Sequence, residues 1–165
     1  MDTTIQLNTL LQKVEAMKKS GTVDLSTEED LSIAIMNLVS LEEHFFFTAQ
    51  KSGKDEYFDL LEEVRETRKT LLAKMIPRHE GETWCITKHL LAATMRLIEV
   101  GTKLHADGKK EEAKELFDRA YRLYSLFWGL RLKLISAKEL KTVAAKDQPW
   151  TLGTIVDKLV DCCDE

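Results

Sequence analysis

STEEDLSIAIMNLVSLEEHFFFTAQKSG, residues 26–53, carries a start signal, a stop signal and one uninterrupted period between them. Ser26 and Glu29 have capping-box spacing, in which the serine oxygen accepts from an early backbone amide and the glutamate reaches back. Ser52-Gly53 ends the run. Advancing 100° per residue gathers Leu31, Ala34, Ile35, Leu38, Leu41, Phe45 and Ala49 on one face. The spacing predicts a helix over about 27–51. Glu42 falls inside its apolar stripe, whereas Glu43 and His44 turn away from its centre.

The rest of the chain repeats this grammar. An amphipathic segment over about 4–19 stops at Ser20-Gly21. Further helices are predicted over about 55–76, ended by Pro77, over 83–106, ended by the Asp107-Gly108 turn, and over 110–136, with a bend near Gly129. A linker, KTVAAKDQPW, leads to a short amphipathic helix over about 152–162. No segment alternates with period two between turn signals, and only two prolines and seven glycines are present. The predicted fold is all-α: a compact bundle of four long helices with shorter N- and C-terminal helices. Residues 1–140 form the bundle, and 141–165 supply a linker and a helix that packs on the same domain.

Composition narrows the function classes. A chain of 165 residues is the size of one domain. The net charge of −4 offers no excess of cations to neutralise phosphates, so nucleic acid is not an expected partner. No apolar run reaches the roughly 18–20 residues that cross a bilayer, and the N-terminus lacks the pattern of a signal peptide. Three cysteines, Cys85 and the adjacent Cys162 and Cys163, make a poor disulfide framework. The expected location is the cytoplasm.

Ionisable residues on apolar stripes are the candidates for a site. Around 55–76 the stripe holds Tyr57, Leu60, Leu61, Val64, Leu71, Leu72 and Met75, with Arg68 among them. Around 110–136 it holds Ala113, Leu116, Phe117, Ala120, Tyr124, Phe127, Leu134 and Ile135, with Arg131 near its middle. An unpaired buried charge costs several kcal/mol, so these groups need partners. The simplest arrangement has Glu42 accepting from Arg68, Arg131 or both. This is either a structural ion pair or, with Tyr124 adding a hydrogen bond, a pocket for a small anion.

Other chemistry finds little support. The Glu-x-x-His pairs of carboxylate-bridged metal bundles are missing: Phe45 follows Glu42 by three and Lys69 follows Glu66. Cys85 and His89 share a face one turn apart beside the stripe Ile86, Leu90, Ala93, Leu97, Val100 and Leu104, but two ligands do not complete a zinc site. No phosphate loop, nucleophile elbow or HExxH sequence is present. No catalytic residue, metal or cofactor is assigned.

Residues 97–124, LIEVGTKLHADGKKEEAKELFDRAYRLY, place Gly101, Ala113, Phe117 and Ala120 around an Asp107-Gly108 turn, with Leu104 at an aromatic position. This stretch resembles a single tetratricopeptide repeat. Ser125 replaces the final proline, the second helix runs on, and no second copy follows. The resemblance implies a close helical hairpin and a peptide-binding role. The expected function is that of a non-catalytic interaction or scaffold protein binding a protein partner or itself through Phe47, Met95, Trp150 and part of LFWG. The alternative is a ligand-binding or enzymatic bundle built on Glu42, Arg68, Tyr124 and Arg131.

Overall fold

The computed structural model describes residues 25–77 and 81–135, together with Gln12, Ala16, Met17 and residues 19–21. Among the described residues four α-helices have defined bounds: α1 (Leu25–Ser52), α2 (Glu56–Met75), α3 (Glu82–Ala106) and α4 (Lys110–Arg131). The predicted segments at 4–19 and 141–165, with Trp150, Cys162 and Cys163, lie outside the described residues for the most part.

Three-residue turns join α1 to α2 and α3 to α4. Gly53 and Gly108 take φ of +67° and +79°, where a side chain would clash with its own backbone. Each helix therefore doubles back on its predecessor, giving two antiparallel hairpins. The hairpins join through α1 and α3, which run parallel, so both tight turns lie at one end of the molecule and the 76–81 crossover at the other. That second end, the base, holds the core: Ile35 and Met36 from α1, Leu72 and Met75 from α2, Leu91 from α3, and Leu126, Phe127 and Trp128 from α4. Phe127 and Trp128 are fully buried and meet edge to face, with ring centroids 5.5 Å apart.

Within the second hairpin the helices approach closely at Gly101. A Cβ there would lie 2.6 Å from Cε1 of Phe117, so no other residue fits without moving the ring. Ala113 and Ala120 are buried in the same hairpin.

Several phases and boundaries differ from the sequence reading. α1 begins at Leu25, which puts Ser26 inside the first turn instead of at the cap. Its buried side is rotated toward Ser32 and Met36, leaving Ala34 and Leu41 exposed, because α1 must serve α2 and α3 at once. On α3 the buried residues are Thr87, Leu91, Thr94 and Gly101, one position on from the apolar stripe, and Val100 faces solvent. Thr87 and Thr94 donate to the carbonyls of Thr83 and Leu90 at 2.8 Å, so their hydroxyls enter the interior already bonded.

α4 stops at Arg131, five residues early. Lys133 turns to φ +55°, and the amides of Leu134 and Ile135 donate back to the carbonyl of Gly129. This left-handed stop folds Leu134 and Ile135 into the core without continuing the helix.

Candidate functional site

Glu42 and Arg68 meet, as the stripes imply. The side chain of Arg68 is 4 % exposed and that of Glu42 is 14 % exposed. Nε donates to one carboxylate oxygen at 2.6 Å and Nη2 to the other at 3.2 Å, a bidentate fork that ties α1 to α2. The two charges neutralise each other.

Arg131 is not part of it. Its Nη2 pairs with Oε1 of Glu28, one residue from the expected cap glutamate, and joins α4 to the first turn of α1. Tyr124 belongs to a third contact. Ser32 gives its one proton to the carbonyl of Glu29, so the 2.7 Å contact with Tyr124 is donated by the phenol. The four candidate residues thus fall on two arrangements: Glu42 with Arg68 along the first hairpin, and Arg131 and Tyr124 along the α1–α4 seam. Glu28 and Ser32 were not singled out in the sequence. Their signal is their spacing of four, on the side of α1 that also carries Ile35.

The base retains buried polar atoms without a partner among the described residues: Oε2 of Glu28, Nε of Arg131 and Nε1 of Trp128. Arg131 also lines a cavity of about 220 Å³ with Lys133 and the C-terminal end of α2, Ala73 to Pro77.

A larger opening lies between α1 and α3. It holds about 360 Å³ and is lined by Ser40, Glu43, His44, Phe47, Thr48, Lys51 and Arg96. Arg96 donates to Glu43 at 2.5 and 3.0 Å and to Ser40 at 2.8 Å, pinning the hairpins together along one edge. Cys85 and His89 are both exposed, and no group of three or more metal-ligating side chains occurs among the described residues. Lys114, fully exposed, is held above the ordinary lysine pKa chiefly by its hydrogen bond to Asp118 and that carboxylate's charge.

Beyond the Arg96–Glu43 contact the small residues Ala49, Gly101, Ala113 and Ala120 stay buried, while larger apolar side chains are left exposed. Phe46, Leu60, Ile98 and Tyr121 come one from each helix and are 43, 41, 41 and 38 % exposed. Each repeats the helical phase of a residue nearer the base. Ile98 is seven residues past Leu91, Tyr121 seven before Trp128, Leu60 eleven before Leu71, and Phe46 fourteen past Ser32. Multiples of seven, and eleven, return a helix close to the same face. Their heights agree as well: Phe46 follows Glu43 by three, Ile98 follows Arg96 by two, and the Gly101–Phe117 contact brackets Ile98 and Tyr121. They stand at about one level of the bundle, a layer at which each helix leaves one large apolar side chain half exposed. Phe47 stacks edge-on against Phe46 at 5.2 Å and is itself half exposed.

Some of the residues expected at the surface are not there. LFWG, residues 126–129, is core, and Met95 packs against it half-buried. Leu134 and Ile135, returned by the stop after Arg131, join Trp128 in the core cluster. No protein-family model, curated protein or solved structure matches this chain.

Proposed function

We propose that the protein is a non-catalytic helical interaction protein, acting in the cytoplasm, that binds a protein partner or a second copy of itself through the half-exposed layer at the turn end. The observation that carries this reading is the exposure of four large apolar residues, one from each helix at about one level, with Phe47 beside Phe46. Exposed apolar side chains gathered at one place mark contact surfaces more often than scattered ones do. The direct pairing of Glu42 with Arg68 supports it further, since each charge is already neutralised by the other in a bidentate contact. The likeness of residues 97–124 to a tetratricopeptide repeat points the same way. No helix among the described residues is long and apolar enough to cross a membrane.

Native mass spectrometry of the full chain, with elemental analysis of the same sample, tests the reading. The expected result is apo protein that forms a concentration-dependent dimer or complex, weakened at least tenfold by Phe46→Asp. A stoichiometric metal or small-molecule adduct with no association overturns it.

One observation favours a second reading, a small-anion site at the base. Arg131 keeps Nε without a partner among the described residues and faces an opening shared with Lys133. The carbonyl end of α2 on the opposite wall works against an anion there. Phosphate titration followed by NMR, with Arg131→Met as control, separates the two readings. Saturable shifts lost in the variant favour the anion.

A further inference from the structure

We propose that the opening between α1 and α3 binds an acidic peptide segment, two carboxylates about five residues apart with an apolar side chain between them. The inference deepens the interaction reading by naming the partner's chemistry. It rests on that reading for its biological use, but not for the binding itself.

One wall of the opening is a single face of α1. Ser40, Glu43, His44, Phe47 and Lys51 follow one another at spacings that share a helix face, and with Arg96 of α3 they line one space of about 360 Å³. Phe47, 49 % exposed, is the apolar part of that face. It also meets Phe46 edge to face, so the opening adjoins the half-exposed layer.

The hydrogen-bonding groups choose the charge of the ligand. Arg96 gives Nε and Nη2 to one oxygen of Glu43, and Nη2 also to Ser40, while its Nη1 has no acceptor among the described residues. The Lys51 ammonium has none there either. Ser40 accepts from Arg96 and keeps its own proton to give, and the His44 ring always offers an N–H. Against these donors stand the second oxygen of Glu43 and the hydroxyl of Thr48, whose proton goes to the carbonyl of His44. Donors outnumber acceptors. Two cations face one carboxylate in a chain whose net charge is −4, so the opening is cationic against an acidic average. An acceptor-rich anion complements it. Lys51, in the last turn of α1, offsets the carbonyl end that would otherwise oppose that anion.

Spacing decides between one compact anion and a segment. Arg96 is bonded at the Ser40 end, and Lys51 lies eleven residues further along α1, which helical rise makes roughly 16 Å. A phosphate reaches one of these cations at a time. An extended chain covers the distance in about five residues at ~3.3 Å each, and passes Phe47 on the way. Behind the Arg96–Glu43 contact there is only a recess of about 30 Å³ between Met36, Val39, Ala92 and Met95, on the scale of a water molecule. The ligand therefore lies along the outer face and not beneath the contact.

The test titrates the full chain with the blocked peptide acetyl-Glu-Gly-Ser-Phe-Ser-Glu-amide and follows backbone amides by heteronuclear NMR. The expected result is shifts that saturate at millimolar peptide or below, largest for residues 40–51 and Arg96. The counterpart with glutamine at both ends is expected to bind about fivefold more weakly. Lys51→Gln, which removes no contact to a described residue, is expected to weaken the acidic peptide by about threefold and leave the glutamine peptide unchanged. Phe47→Ala should weaken both peptides alike. Equal affinity for the two peptides, an acidic peptide unaffected by Lys51→Gln, or no saturation at millimolar peptide overturns the proposal. Inorganic phosphate saturating the same shifts as tightly as the peptide assigns the cations to a free anion and overturns it too. If the peptide fails while Phe46→Asp still weakens association, the interaction reading stands alone. If the peptide binds while native mass spectra show a ligand and no association, the acidic-segment site stands and the interaction reading falls.

Discussion

The Glu42–Arg68 fork is nearly dry, which makes it asymmetric to mutation. Arg68→Met leaves a carboxylate inside an apolar seam with nothing to accept from, and is expected to cost roughly 3 kcal/mol in urea unfolding. The double variant Glu42→Leu with Arg68→Met removes both charges and is expected to recover most of that loss. A double variant no more stable than the single one would show that the pair does more than neutralise its own charges. The fork was legible in the sequence because both residues sit mid-helix on otherwise apolar stripes, where phase is least ambiguous. Arg131 was legible as an inward charge but not in its choice of partner. Glu28 sits in the first turn of α1, where a glutamate reads as a capping or dipole residue, and only the docking of α4 gives it a guanidinium.

Helix ends and close approaches set the shape of each hairpin. Gly101→Ala adds a methyl that meets the ring of Phe117 at under 3 Å. The alanine's better helix propensity, worth up to about 1 kcal/mol, is expected to lose to overpacking of roughly 1–3 kcal/mol. Phe117→Leu in the same chain should relieve part of it, as read from paired thermal melts. At the other end of α4, Lys133 adopts a left-handed conformation that costs an L-residue about 1 kcal/mol. Lys133→Gly is therefore expected to raise stability by up to that amount, and a loss would mean that the lysine's own contacts outweigh the strain. The stop at Arg131 could not be read beforehand, because no glycine or proline marks it and RLKLIS continues the apolar period. The phase of α3 misled for the opposite reason. Threonines 87 and 94 look polar, yet each carries its hydroxyl inward already bonded to its own helix.

Stability is distributed along the molecule as the packing is. The core and the Glu28–Arg131 and Ser32–Tyr124 contacts gather at the base, while the layer at Phe46, Leu60, Ile98 and Tyr121 is half exposed. Native-state hydrogen exchange should show this gradient. Amides around Leu91 and Phe127 are expected to exchange only through global unfolding, whereas those flanking Gly53 and Gly108 open locally and orders of magnitude faster. Uniform protection from base to turns would contradict a half-exposed layer. The all-α class and the two hairpins follow from caps, turns and period, all local properties. The half-exposed layer does not, because Phe46, Ile98 and Tyr121 lie off the stripes read from the sequence and Leu60 lies on one, so stripe membership does not tell exposed from buried.

The pairing of neighbours in sequence has a consequence for synthesis. Each hairpin closes across a three-residue turn, so its contacts are local and form quickly. The first hairpin is complete when Met75 has left the ribosome, before any of α3 has followed. Its base, with Ile35, Leu72 and Met75, stays uncovered until Phe127 and Trp128 emerge some fifty residues later. At about 5–20 residues per second the nascent chain exposes that apolar end for several seconds. During that interval the first hairpin is a sticky intermediate, and a ribosome stalled between residues 80 and 120 would present it to chaperones.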